Sequence, residues 1–233
     1  MSIFGLIGKT LSHSFSEGYF NDKFHKEDIN DAEYKNFELN NISEFTDLIS
    51  KIKLSGLNVT TPYKESIIPF LDELTPHANA IGAVNTIQFK DNKLIGHNTD
   101  TIGFLQSIYP LLNKRNKALI LGNGGASKAI QYVLKILNIE YKIVSRKSSF
   151  DYLDISSESI GYYDIIINTT PLGTHPKIAW DSCRICINGF SLSLYLAKTS
   201  FSNVFRYELL NKYGGWWWVM GDLYMCMSSA SEQ

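Results

Sequence analysis

Lys64, in Asn58-Val59-Thr60-Thr61-Pro62-Tyr63-Lys64, and Asp100, in His97-Asn98-Thr99-Asp100, are the residue types here that could move a proton. An ammonium beside a carboxylate is favoured in its charged form, while burial lowers the lysine pKa. Such a coupled pair can relay a proton to or from a hydroxyl or carbonyl oxygen. The ordinary alternative for Lys64 is a surface lysine. Downstream, Gly122-Asn123-Gly124-Gly125-Ala126-Ser127 has the small residues of a turn whose backbone N–H groups can approach a pyrophosphate. A proton-transfer pair ahead of a nucleotide loop is the layout of a two-domain dehydrogenase.

Other candidates gather around these two. Ser14 and Ser16 stand at an expected helix start, where serine is a common cap. Two hydroxyls spaced by one residue there can also bind a substrate carboxylate, with help from the helix dipole. Thr60 and Asn85 lie at or near strand ends, where open sheets place their ligands. His13 could act as a base, but nothing partners it in sequence. The five histidines show no metal-ligand spacing, so no metal site is expected. In the glycine turn the sixth fingerprint position is Ser127, a variant of the usual glycine. An NAD-binding unit places Asp or Glu about 20 residues further on. This chain has Ser145-Arg146-Lys147 there, a hydroxyl and two cations that suit a 2'-phosphate. The expected cofactor is therefore NADP; the plainer reading is a solvated basic loop.

The elements that must position these residues alternate as beta-alpha units do. Strands are expected at Ser2 to Ile7, Tyr34 to Leu39 and Leu57 to Thr60, with helices at Ser16 to Lys26 and Ile42 to Ile52. Pro62 suits the first turn of another helix, which would set Lys64 at the wrong end of the dipole for a cation. Val84 to Phe89 and Lys93 to Gly96 flank Lys90-Asp91-Asn92, a hairpin signal. Thr101 to Leu112 reads as a connecting helix. A second unit follows: strand Ala118 to Leu121, glycine turn, helix Ala126 to Asn138, strand Tyr141 to Val144, and a further strand Asp164 to Asn168. The fold class is α/β, with two domains: an open mixed-sheet substrate domain followed by a Rossmann-like NADP-binding domain.

Bulk properties agree with a soluble enzyme. The 233 residues can bury a sizeable core, with 44% hydrophobic and 19% charged residues. A net charge of -1 gives no general pull toward nucleic acid or acidic membrane. No apolar run reaches the roughly 20 residues of a membrane span, and no basic segment opens a signal peptide. Three cysteines do not build a disulfide framework, and a cytoplasmic location is the default.

The set Gly5 to Ser16, Asn58 to Glu65, Gly82-Ala83-Val84-Asn85-Thr86, Asn98-Thr99-Asp100, Gly122 to Ser127 and Asn168 to Gly173 resembles the shikimate dehydrogenase family. The motifs occur in family order from residue 3 to about 176. The resemblance implies NADPH-dependent, reversible reduction of 3-dehydroshikimate to shikimate, on the route to chorismate and the aromatic amino acids. It implies that Ser14 and Ser16 hold the substrate carboxylate and that Thr60, Asn85 and Asp100 bind ring hydroxyls. Lys64 would be the acid/base and Asp100 its partner. Gly122, Asn123, Gly124, Gly125 and Ala126 would carry the pyrophosphate, and Ser145, Arg146 and Lys147 the 2'-phosphate. Small departures are Thr101, where many members have glycine, and Pro76, where a small or charged residue is usual.

A larger departure follows Pro176. The family's later tyrosine motif is absent, and Met220 to Met225 only faintly echoes its glutamine motif, from which no role is carried over; the one glutamine after Pro176 is Gln233. All four tryptophans and all three cysteines fall after residue 178, including Trp216-Trp217-Trp218 and Cys183-x-x-Cys186. A reading-frame shift near 178 is the hypothesis these features motivate; an intact frame on resequencing would sink it. The expected organisation is 1–101 as a substrate-binding catalytic domain, 102–178 as the NADP-binding domain, and 179–233 as an atypical tail. Alternative functions are a non-catalytic shikimate/NADP-binding protein inactivated by its C-terminus, or a quinate/shikimate dehydrogenase. Partners are a small-molecule substrate, without nucleic acid or membrane, and the chain is a monomer or homodimer.

Overall fold

The computed structural model describes residues 1–170, apart from 13, 113, 147 and 148. The atypical tail, the His13 candidate and Lys147 therefore lie outside the described residues. Two compact units divide at Asp100 and Thr101.

The first unit is a six-stranded mixed sheet. Its strands are β1 (Ser2–Gly8), β2 (Ala32–Glu38), β3 (Gly56–Val59), β4 (Glu73–Leu74), β5 (Thr86–Lys90) and β6 (Lys93–His97), in the order β2-β1-β3-β5-β6-β4. β1 pairs in parallel with β2 and β3, whereas β5 is antiparallel to both β3 and β6. The carboxyl ends of β1, β3 and β6 and the amino end of β5 consequently face one edge of the sheet. The chain also reverses its direction of winding at β1, where open sheets leave a ligand crevice.

Helix α1 (Ser16–Lys26) matches the expected span, and α2 (Glu44–Lys51) is shorter than expected. On one sheet face α1 buries Phe20 and Phe24 with Phe4 and Tyr34. Phe20 stacks on Tyr34 with ring centroids 4.3 Å apart. Asn21 finishes the outer edge there: its amide donates to Tyr34 O at 2.9 Å and accepts from Tyr34 N at 2.8 Å, standing in for a neighbouring strand. On the other face Ile7, Leu57, Val59 and Ile87 pack with Phe45, Tyr63 and Ile67. Phe45 is fully buried; truncating it to alanine is expected to cost about 3–5 kcal/mol.

Two local expectations need correction, and one helix was missed. No α-helix follows Pro62: residues 61–67 form turns and Ile68–Phe70 a short 3-10 helix. Pro69 has no N–H to give Glu65, and the Lys64 carbonyl is taken by Val84 N at 2.7 Å. The helix-dipole argument about Lys64 falls with that helix. Helix α4 (Asp100–Ile108) ends before Leu112 in a 3-10 turn, because Pro110 cannot donate to Gln106. Helix α3 (Pro76–Ile81) was not anticipated, although Thr75 caps it, Pro76 occupies its first turn and Gly82 ends it at φ 68°. The hairpin holds: Asp91 and Asn92 both have positive φ between β5 and β6.

The second unit has parallel strands β7 (Lys117–Leu121), β8 (Glu140–Val144) and β9 (Ile165–Asn168) in the order β8-β7-β9. Helices α5 (Gly125–Ile136) and α6 (Ser157–Gly161) connect them. Ala118 and Ile120 pack beneath Ile130, Val133 and Leu134 of α5, while Leu119 and Leu121 pack with Val144, Ile166 and the residues around Phe150. β7 is thus covered on both faces, as a central parallel strand requires. Its neighbours lie on opposite sides, so the glycine turn after it sits at a topological switch point.

Candidate active site

Ser14, Ser16, Thr60, Lys64, Asn85 and Asp100, the described sequence-derived candidates of the first unit, emerge at the sheet edge described above. The loop after β1 is fixed at Leu11, whose N–H donates to Glu38 Oε1 at 2.5 Å. Gly8 permits this close approach: a Cβ there would meet the side chains of Leu11 at 2.6 Å and Thr60 at 2.7 Å. Ser14 and Ser16 are both half-buried. The position preceding α1 is Phe15, without a side-chain cap, and Ser14 Oγ accepts from Ser16 N at 3.2 Å. Simple capping therefore does not account for Ser16.

Thr60 leaves β3 with its N–H on Ile7 O and its carbonyl accepting from Tyr63 N, both at 2.9 Å. Tyr63 is buried and donates its hydroxyl to Leu39 O at 2.5 Å. Burial pushes the Tyr63 pKa up, with the Glu44 charge adding to it, so the phenol stays neutral and keeps donating. That bond and the Lys64–Val84 backbone bond fix both sides of the turn carrying Lys64.

Lys64 Nζ lies 2.6 Å from Asp100 Oδ2, and each side chain is only 12% exposed. Asp100 heads α4, where a negative charge is favoured by the helix dipole. Its other oxygen, Oδ1, accepts from Asn85 Nδ2 at 2.9 Å. Asn85 is pinned in turn: Thr99 N donates to its Oδ1 at 2.9 Å, and its amide donates to Thr99 Oγ1 at 2.9 Å. An ammonium held this way can give a proton to an oxygen and recover it, with the carboxylate stabilising its charged form.

Thr99, Thr86, Asn58 and Tyr34 belong to this assembly but received no role from the sequence. Thr99, Thr86 and Asn58 stood inside quoted motifs. Polar types at strand positions are usually solvent-facing, and nothing local announces their burial. His97 borders the group, 3.2 Å from Gln88 Oε1, and burial lowers its pKa.

In the second unit the glycine turn suits a dinucleotide phosphate. Gly122 has φ +105°, and a Cβ on it would meet Thr169 Oγ1 at 2.5 Å, so glycine is required for the turn itself. A Cβ on Gly124 would meet nothing within 4 Å among the described residues, which leave that side of the turn open to an approaching group. Gly124 precedes α5 with no side-chain cap, which leaves early helix N–H groups for an anion. Asn123 and Ala126 complete the turn. Ser127, the variant position, is fully buried against the sheet, and its Oγ accepts from Gln131 Nε2 at 3.0 Å. Ser145 is buried and Arg146 exposed beyond the carboxyl end of β8. Among the described residues no group of three or more His, Cys, Asp or Glu could hold a metal ion, and no helix is long and apolar enough to cross a membrane.

Known proteins resemble this chain in sequence and fold. Residues 6–87 match the shikimate dehydrogenase substrate binding domain. The NADP(+) shikimate dehydrogenase of Clostridium beijerinckii is 42% identical over 195 residues, covering 76% of this chain and 71% of the relative. Crystal structures of shikimate dehydrogenase 1 from Peptoclostridium difficile and of the Thermus thermophilus enzyme in complex with NADP(H) and shikimate are similar, at 39% and 25% identity. Their TM-scores are 0.65 and 0.63; the matches cover 76% and 74% of this chain and 69% and 70% of theirs. The two-domain α/β architecture with a Rossmann-like nucleotide domain is that of these neighbours, and the chain belongs to the shikimate dehydrogenase family.

Proposed function

We propose that this chain is an NADP-dependent shikimate dehydrogenase, reversibly reducing 3-dehydroshikimate to shikimate for chorismate and aromatic amino acid synthesis. The observation that carries the reading is the Lys64–Asp100 pair, closed at 2.6 Å, shielded from water and braced by Asn85. Reducing a ketone requires a hydride at carbon and a proton at oxygen. NADPH, when bound, supplies the hydride. Lys64 gives its proton to the carbonyl oxygen and takes it back in the oxidative direction. Asp100 holds the ammonium in place and accepts a ring hydroxyl.

Ser14 and Ser16 hold the substrate carboxylate, and Thr60 and Asn85 hold ring hydroxyls. Asn85 reaches a hydroxyl by handing over the N–H now donated to Thr99 Oγ1. The backbone of Gly122 to Ala126 takes the pyrophosphate, while Ser145, Arg146 and Lys147 take the 2'-phosphate. Residues 1–101 form the substrate domain and 102–178 the nucleotide domain. The protein operates in the cytoplasm.

The test is NADP-linked oxidation of shikimate by the full chain beside Lys64→Ala. Loss of the general acid/base is expected to lower turnover about 10²–10⁴-fold. Undiminished turnover in Lys64→Ala refutes the assignment. Shikimate and NADP binding without turnover in the unmodified chain replaces it with the non-catalytic reading.

A further inference from the structure

We infer that Tyr34, in β2 beneath α1, is a positioning residue for the Lys64–Asp100 pair. It acts through a buried chain of directed hydrogen bonds, Tyr34–Asn58–Thr86–Asn85–Asp100. The catalytic role of its end point rests on the function proposed above; the chain itself does not.

The contacts are continuous. Tyr34 OH lies 2.7 Å from Asn58 Oδ1, and Asn58 Nδ2 lies 3.3 Å from Thr86 Oγ1. Thr86 Oγ1 lies 3.1 Å from Asn85 Oδ1, and Asn85 Nδ2 lies 2.9 Å from Asp100 Oδ1. Tyr34, Asn58, Thr86 and Asn85 are each 2% exposed or less. Sheet register brings the middle together: Asn58 pairs with Thr86 across β3 and β5, and its other neighbour, Leu6, lies two residues along β1 from Phe4, the partner of Tyr34. Residues two apart share a sheet face, so the phenol leans along that face to reach Asn58.

The direction of each bond follows from one backbone group. Thr99 N can only donate, so the Asn85 atom facing it is the oxygen. The Asn85 nitrogen must then face Asp100. The Thr86 hydroxyl has a single proton and gives it to Asn85 Oδ1, so the Asn58 atom beside Thr86 is its nitrogen. Asn58 therefore offers its oxygen to Tyr34, which donates. Every bond runs toward the Asp100 carboxylate, whose opposite oxygen holds Lys64. Successive bonds of one direction polarise one another in a water-poor interior, and each fixes the orientation of the next amide. Packing alone does not require the hydroxyl, because phenylalanine would stack on Phe20 equally well.

Tyr34→Phe and Thr86→Val, the latter nearly isosteric and interrupting the chain next to Asn85, test the inference in the full-length protein. The first readout is the pair of Asn85 side-chain N–H signals in proton–nitrogen NMR spectra. These are expected to move upfield and exchange faster with solvent in Tyr34→Phe, and more so in Thr86→Val. The second is turnover of shikimate with NADP, expected to fall roughly fivefold in Tyr34→Phe, the equivalent of one neutral hydrogen bond, with KM for NADP unchanged. Asn85 signals that keep their positions in both variants overturn the inference, whatever the activity does. Signals that move in a protein whose unmodified form shows no turnover leave the chain of bonds standing and remove the catalytic reading.

Discussion

Asp100→Asn separates charge from shape at the centre of the site. The amide has the outline of the carboxylate but offers one acceptor oxygen where two donors converge, Lys64 Nζ at 2.6 Å and Asn85 Nδ2 at 2.9 Å. Asn85 cannot rotate to help, because its own oxygen is held by Thr99 N. Whichever way residue 100 turns, its new NH₂ faces another donor. Leaving a buried donor unsatisfied costs about 1–3 kcal/mol, and removing one partner of a buried ion pair costs about 3–5 kcal/mol. These overlap rather than add, since both describe the same stranded ammonium. With both side chains 12% exposed, the lower end applies, about 3 kcal/mol. For a chain of this length that is a fall of roughly 6–12 °C in melting temperature. Turnover is expected to drop about 10²–10⁴-fold. Thermal melts with and without shikimate, alongside NADP-linked initial rates, measure both. Asp100→Asn melting within a degree of the parent, or retaining turnover within threefold, would show that the pair is neither structurally nor catalytically coupled.

Other substitutions divide fold from ligand. Gly122→Ala is expected to destabilise the nucleotide unit by about 1–3 kcal/mol through its positive φ and the Thr169 clash, read by thermal melts. Gly124→Ala should leave the melt within about 0.5 kcal/mol, since its Cβ meets none of the described residues, yet weaken NADP binding at least tenfold in titration calorimetry. Equal NADP affinity in Gly124→Ala and the parent would remove this turn from the cofactor site. Arg146→Ala should cost NADP affinity while sparing NAD, because only NADP carries the 2'-phosphate; equal losses for both would make Arg146 a general electrostatic contributor. His97 gives a pH dependence. Its folded pKa lies below the ordinary 6.5 because of burial. The stability it contributes is therefore present above pH 6.5 and lost as pH falls through the depressed value. Denaturant titrations between pH 7.5 and about 4.5 should show that loss flattened in His97→Asn, and parallel curves would refute it.

Legibility in the sequence followed the range of the interactions. α1 and the Asp91-Asn92 hairpin are local: apolar spacing on one side, a two-residue turn needing positive φ on the other, and both were readable. The turn after Pro62 was only half readable: Pro69 is a local signal against a helix, but the Lys64 carbonyl is taken by Val84, twenty residues away. Thr75, Pro76 and Gly82 did carry a local helix signature, but six residues are too few for periodicity to draw attention. Lys64 and Asp100 were read as a pair from their residue types, and the resemblance added Asn85; the geometry that assembles the three depends on β3, β5 and β6 sharing a sheet edge, which is a property of strand order.

The buried polar chain shows most clearly why part of the site was hidden. Tyr34, Asn58 and Thr86 each look like solvent-facing positions in alternating strands, and their types alone give no reason to expect burial. In the folded chain their desolvation is offset only because each finds the next. That makes them costly as isolated residues and consistent as a set. A sheet face shaped only for stability would more simply carry valine and phenylalanine at these positions, since a satisfied polar network is rarely more stabilising than a well-packed apolar one. What the polar version provides is orientation: an amide whose oxygen and nitrogen are not interchangeable, and hence a carboxylate with one oxygen fixed for Asn85 and the other for Lys64. Proton transfer needs that distinction, and folding does not.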